Sequence, residues 1–346
     1  MRALWILGAV TLTLTTAVLV TGSSEPSPRG LPSRALGTAG GQLVVPASTL
    51  QQKAHVVLVT LDGARWQDVL AQPGALSSSP AMPKLLELVA RNGVALRATT
   101  SSKVPLSLPG YQALAAGRMT SCEDNDCARL EGETVAEGLA RGLGLPMEQV
   151  AVFASWARLS FAAAGAEGAV TLDAPPRGLP GPGGPPWEDA RWDVETTARA
   201  LSHLTTHRPR FLQLALLDTD EWAHQRDAQR TVQALRAADD AIAALLEVVR
   251  TWPEDERRLT TLLVTTDHGR GPGSLWHAHG AFDASRNIFL LAAGDLVRGG
   301  DELATQADVR PTIERLFGLC PRGSGGRAVT AIVGDLPCGV AGAATP

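Results

Sequence analysis

Three short apolar runs in this chain end in acidic residues, and two of them add a histidine close by. Val56-Val57-Leu58-Val59-Thr60-Leu61 runs into Asp62-Gly63, Phe211 to Leu217 runs into Asp218-Thr219-Asp220-Glu221-Trp222-Ala223-His224, and Thr261 to Thr266 runs into Asp267-His268-Gly269. A further pair, His279-Gly280, lies just beyond the last of these. Carboxylate oxygens and imidazole nitrogens are the ligands of divalent cations, and a mixture of the two suits zinc or manganese better than calcium, which prefers oxygen throughout. Taken singly, each motif has an ordinary explanation: Asp-Gly is a common turn, and a histidine after a strand usually bonds locally. Their joint occurrence after three apolar runs is what points to a metal centre.

Those residues need elements to position them. Runs rich in Val and Leu recur at Val56–Leu61, Val94–Ala98, Val150–Ala154, Phe211–Leu217, Thr261–Thr265 and Ile288–Ala292, and continuous apolar runs of this length suit strands buried on both faces. Between them lie helical patterns. The clearest runs from about Asp227 to Arg250, with Val232, Leu235, Ile242, Leu245, Leu246 and Val249 at three- and four-residue spacing, and Pro253 ends it. Pro83 to Arg91 is a second candidate, and Asp308 is placed to cap a third whose first turn contains Pro311. The stretch Pro175 to Pro186 reads as an irregular surface loop. Strands alternating with helices predict an α/β fold with a mainly parallel central sheet and helices on both faces. Ligand sites in such sheets form beyond the carboxyl ends of the strands, where the acidic residues above fall.

Arg2 followed by a mostly apolar run from Ala3 to Val20 reads as an export signal, so residues 1–24 are expected to be a signal peptide or signal anchor. That segment also offers a membrane tether, and the destination is outside the cytoplasm: periplasmic, secreted or anchored. Residues 25–53, rich in Pro, Ser and Gly, are expected to form a flexible linker, and residues 54–340 a single catalytic domain. Four cysteines suit an oxidising destination, and of the three connectivities the local one, Cys122 with Cys127 and Cys320 with Cys338, is favoured. The formal charge of -4 gives no broad basic surface, so no nucleic acid partner is expected.

The residues resemble the alkaline phosphatase superfamily, in particular its nucleotide pyrophosphatase/phosphodiesterase, phosphoglycerate mutase-like and sulfatase-like metalloenzymes, over about Ala54 to Leu319. Leu61-Asp62-Gly63 resembles the family's first metal-binding carboxylate. Ser107-Leu108-Pro109-Gly110-Tyr111, with Gly117-Arg118 ten residues on, resembles the nucleophile loop and the helix it starts. Asp220-Glu221-Trp222-Ala223-His224 matches the spacing of an Asp-x-x-Gly-His motif, with Ala223 in place of Gly; Thr266-Asp267-His268-Gly269 matches an Asp-His-Gly motif, and His279-Gly280 the closing histidine, ahead of the nearby His277.

The resemblance implies an alkaline phosphatase-like domain with two divalent metal ions, zinc being the expected species and manganese the alternative. One would be held by Asp220, His224 and His279, the other by Asp62, Asp267, His268 and the Ser107 oxygen. Ser107 would attack a small phosphate mono- or diester in line to give a phosphoserine that water hydrolyses. Thr100 and Ser101 are the next hydroxyls in line. Gly110 stands where the family has Asn, which removes a phosphate hydrogen-bond donor; Lys103, Arg118 and Asn125 are candidate replacements in substrate binding. Asp218 either orients His224 or caps its loop, while Trp222, Trp276 and Tyr111 are candidates for a pocket wall. A sulfatase-like hydrolase of the same fold is one alternative, although sulfatase nucleophiles arise from Cys or Ser followed by x-Pro-x-Arg and Ser107 is followed by Leu-Pro-Gly-Tyr. A phosphoglycerol or phosphoryl transferase is another, and a noncatalytic surface protein braced by its metals is a third.

Overall fold

All seven residues of His55–Leu61 (β1) are buried, as an unbroken apolar run covered on both faces should be. The computed structural model of the chain describes residues 44–163, 169–176 and 185–339. It sets β1 in an eight-stranded sheet with Gly93–Thr99 (β2), Val150–Ala154 (β3), Thr171–Asp173 (β4), Phe211–Leu216 (β5), Thr260–Thr265 (β6), Asn287–Ala293 (β7) and Ala304–Thr305 (β8). The order across the sheet is β4-β3-β5-β1-β6-β7-β2-β8. Every pairing is parallel except those of β7 with β6 and β2. The six strands expected from the sequence are present, each within one residue of the expected ends. The two that were not expected, β4 and β8, have only three and two residues, too few for a pattern to register.

Successive side chains of β1 point to opposite faces and feed separate cores. Val56 and Leu58 pack with Leu108, Leu114, Leu139, Ile313 and Phe317. Val57, Val59 and Leu61 pack with Leu204, Leu235, Ile242, Leu245 and Val249. The latter core is covered by the helix Ala228–Arg250, whose start is capped by the Asp227 carboxylate accepting from the Arg230 amide. The helix Pro83–Asn92 forms as expected. Val309–Leu316 is also helical, but Asp308 does not cap it. Its carboxylate accepts instead from the amides of Thr305 and Arg327, bracing two loops.

The connection from β6 to β7 carries no crossing helix. Residues 266–286 hold only the short turns Gly273–Leu275 and Asp283–Arg286, so the chain doubles back beside β6 instead of crossing the sheet on a helix. This loop carries Asp267, His268 and His279.

The expected linker ends earlier than composition suggested. Ala47–Lys53 is helical, Leu50 is fully buried, and Arg210 donates to the carbonyls of Leu50, Gln52 and Ala54 at the helix end. Residues 1–24 and 25–43 lie outside the described residues, as does the centre of the Pro175–Pro186 stretch. Cys122 is bonded to Cys127 and Cys320 to Cys338, the favoured local pairing. No helix among the described residues is long and apolar enough to cross a membrane.

Candidate metal centre

β5, β1 and β6 are adjacent and parallel, with Leu61 beside Leu216 and Thr60 beside Thr265. The segments leaving their carboxyl ends therefore emerge side by side. Asp62 comes directly after β1. Asp220 sits on the short helix Asp218–His224 beyond β5, where the four-residue spacing puts His224 on the same face. Asp267 and His268 leave β6, and the doubling-back loop returns His279. One ligand atom from each of Asp62, Asp267 and His268 lies within 4.8 Å of the others, and the same holds for Asp220, His224 and His279. The two trios touch: the His268 and His279 rings stack 3.9 Å apart, and His268 Nε2 is 3.8 Å from Asp220 Oδ1. His277 belongs to neither trio.

Ser107 is the first residue of the buried helix Ser107–Ala116. Its Oγ lies 3.2 Å from Asp62 Oδ1 and 3.3 Å from His268 Nε2. The Ser101 hydroxyl instead accepts from the Ala307 amide. Gly110 has a packing reason to replace a larger residue, because a Cβ there would strike the Asp267 carbonyl oxygen. Asn125 reaches this helix start, its Oδ1 accepting from the Leu108 amide at 2.9 Å and so satisfying one of the unpaired donors of a helix N-terminus. The bonded Cys122 and Cys127 close the loop that carries it.

The other two substrate-binding candidates are corrected by their positions. Arg118 lies beyond the far end of the Ser107–Ala116 helix, about 15 Å of helix away by rise alone, and it donates to the Met119 and Glu131 carbonyls. Lys103 is paired with Glu123 on the surface. Asp218 makes no hydrogen bond to His224; its Oδ1 is buried without a hydrogen-bond partner, and its amide donates to Asp193. Tyr111 is buried in the core, and Trp222 packs with Trp187 and Trp192 beneath Arg230.

His268 and His279 are set as neutral donors of a nitrogen lone pair. Nδ1 of His268 faces the Gly269 carbonyl at 2.9 Å and Nδ1 of His279 faces that of Pro105 at 3.2 Å; a carbonyl only accepts, so Nδ1 carries the proton and Nε2 turns a lone pair inward. Burial, more than any neighbour, lowers the His268 pKa to about 4 and that of His279 to about 3. The carboxylates are crowded. Burial and the charges of Asp267 and Asp220 push Asp62 well above the ordinary range, and burial lifts Asp267 to about 6. Asp62 Oδ2 and Asp267 Oδ2 are buried with no hydrogen-bond partner. Unpaired anionic oxygens are costly to bury, and a cation satisfies them, so the donor set fits a divalent metal.

These raised carboxyls bear on stability. A carboxyl whose folded pKa is raised stabilises the fold while protonated and loses that contribution as pH rises from the ordinary 3.8 to above about 6, whereas His268 and His279, depressed to about 4 and about 3, act in the opposite sense below 6.5; at pH 7 the metal-free protein has therefore lost the carboxyl contribution to its thermal stability. Zinc added at pH 7 should restore it, by about 2.7 kcal/mol at a hundredfold excess over its dissociation constant. Calorimetric melting with and without chelator checks this; a melting temperature indifferent to zinc at pH 7 would contradict it.

Sequence reasoning missed Arg270. Its side chain is almost wholly buried, and it pairs with Asp220 Oδ1 while donating to the carbonyls of Gly63 at 2.9 Å, His277 at 2.8 Å and Asp220 at 3.1 Å. Burial alone would raise the Asp220 pKa, but Arg270, His224 and His279 hold it well below the ordinary carboxylate range. His277 thus contributes its carbonyl, through Arg270. The available signal was an arginine directly after Asp-His-Gly.

The Metalloenzyme superfamily profile matches residues 180–281, the segment holding Asp220, His224, Asp267, His268 and His279. No curated protein matches. Among solved structures, the chain is similar to a sulfatase candidate from Bacteroides thetaiotaomicron at 16% identity, covering 80% of this chain and 74% of that one with a TM-score of 0.62. It is also similar to a 2-O GAG sulfatase at 14% identity, covering 80% and 73% with a TM-score of 0.58. Murine ectonucleotide pyrophosphatase/phosphodiesterase 5, in complex with AMP, is similar at 13% identity, covering 79% of this chain and 97% of that one with a TM-score of 0.55. The chain thus has the fold of these alkaline phosphatase-like metalloenzymes, and its residues 180–281 match the Metalloenzyme superfamily.

Proposed function

We propose that the chain is an exported two-metal hydrolase that cleaves phosphate mono- or diesters through Ser107. The observation that carries this reading is the Ser107 hydroxyl, which starts a buried helix and meets both Asp62 and His268. Asp62, Asp267 and His268 would hold one divalent cation, zinc in preference to manganese, and Asp220, His224 and His279 the other. Bound there, the two cations supply Lewis-acid stabilisation of the charge on the phosphoryl oxygens. Ser107 Oγ forms the new bond to phosphorus as the ester alcohol leaves, and water then cleaves the phosphoserine to regenerate the hydroxyl. Asn125, whose Oδ1 is committed to Leu108, keeps its Nδ2 hydrogens as donors beside the helix start and is the substrate-binding residue of this reading. Arg270 leaves the site with net positive charge once both cations are present, which suits an anionic substrate.

Sulfate ester hydrolysis is the second reading, supported by the sulfatases among the similar structures and by Pro109 two residues after Ser107. Against it, Tyr111 occupies the place of the arginine that follows sulfatase nucleophiles, buried against the core. Zinc-loaded protein assayed on p-nitrophenyl phosphate, its bis ester and p-nitrophenyl sulfate separates the readings. Turnover of a phosphate ester is expected; turnover of the sulfate alone would replace phosphate by sulfate chemistry, and no turnover of any ester would favour a noncatalytic metal-braced protein.

A further inference from the structure

The two ligand trios differ in one respect that their composition does not reveal: a permanent positive charge is ion-paired to a carboxylate of only one of them. Arg270 places four hydrogen bonds on three segments, Gly63 after β1, Asp220 after β5, and His277 in the β6–β7 loop. A guanidinium pinned at that many points cannot swing aside when a cation arrives. Asp220 Oδ1 is taken by this ion pair, and Oδ2 lies 2.9 Å from His224 Nε2. A metal bound by Asp220, His224 and His279 would therefore share its only carboxylate with a fixed cation, and repulsion between the two weakens it. His224 is also nearly half exposed, at 46%.

The other trio feels the Arg270 charge at longer range but has no arginine ion-paired to its carboxylates. Two carboxylates, Asp62 and Asp267, each keep a buried oxygen with no hydrogen-bond partner, and among the described residues His268 is the one basic side chain within ion-pair distance of either. The backbone is shaped around the Arg270–Asp220 pair as well. Gly63 has a φ of +57°, and a Cβ there would strike Asp220 Oδ1 and the Arg270 guanidinium. The fold thus gives up a side chain beside its first ligand to seat this arginine.

We infer that Arg270 is a built-in counter-charge that makes the two cation sites unequal, so that Asp62–Asp267–His268 fills first and Asp220–His224–His279 fills second and more weakly. This rests on the two-metal reading above. In it, Arg270 is a positioning residue acting through Asp220.

Zinc chloride titrated calorimetrically into the chelator-stripped full chain, with metal content measured in parallel, tests the inference. Two binding events separated by at least about tenfold in Kd are expected, the scale on which outer groups shift metal affinity. Arg270→Gln, which keeps donors but removes the charge, should tighten the weaker event by about tenfold or more and leave the tighter one unchanged. Arg270→Lys should preserve the gap, which a purely structural role for the arginine would not predict. On the parent background His224→Ala should delete only the weaker event and Asp267→Ala the tighter, so the inference stays testable if Arg270→Gln does not fold. Two events of equal affinity, a gap unchanged in Arg270→Gln, or loss of the tighter event in His224→Ala would overturn it while leaving the two-metal reading intact. A chain that takes up no zinc would overturn both.

Discussion

The Ser107→Ala protein will bind zinc as the parent does yet form no phosphoenzyme, and its ester hydrolysis will fall by roughly 10,000-fold or more. The hydroxyl is not a lone ligand: Asp62 and His268, which it touches, remain in place with Asp267 to hold their cation. The helix should also survive, because its first amides are met partly by Asn125 and its body is buried throughout. Metal content and activity therefore separate in this variant. Acid-quenched protein incubated with labelled substrate would reveal the covalent species in the parent and its loss in the variant. Full activity in Ser107→Ala would move the nucleophile elsewhere, although the hydroxyl of Ser101, one of the alternatives in line, is occupied by the Ala307 amide.

The second large effect is expected of Asp62→Asn, which should lose the cation held with Asp267 and His268 and reduce kcat/KM by about 1,000-fold, or about 4 kcal/mol of transition-state stabilisation. Loss of activity alone would not distinguish a lost ligand from a damaged fold, but the electrostatics do. Asp62 is buried beside Asp267 and Asp220, and without metal its charge is a liability to folding. The metal-free Asp62→Asn chain should accordingly melt no lower than the metal-free parent, while gaining less from added zinc. A variant that melts far below the metal-free parent would show that Asp62 serves the fold and not a cation.

Much of this architecture was readable from residue order because long-range arrangement and local pattern agree. An apolar run such as Phe211–Leu216 has no exposed face to interrupt it, and an acid directly beyond such a run must lie at the strand's carboxyl end. The parallel placement of β5, β1 and β6 then brings Asp220, Asp62 and Asp267 together without any signal in their immediate neighbours. What escaped notice lacked a local pattern. β4 and β8 are too short to show one. The Ala47–Lys53 helix has a single buried residue, and the arginine that anchors it is far along the chain. Arg270 and Asp220 are fifty residues apart, and nothing in the spacing of either announces their pairing. Arg118 shows the opposite fault. Eleven residues after Ser107 suggests proximity, but a helix between them carries the guanidinium to its other end.

The most direct test of the metal centre is anomalous diffraction at the zinc edge from crystals of the full chain grown with zinc and orthovanadate. Two zinc peaks are predicted, one among Asp62, Asp267 and His268 and one among Asp220, His224 and His279, with vanadium bonded to Ser107 Oγ. Zinc bound elsewhere, or these six side chains left without metal in zinc-saturated crystals, would contradict it.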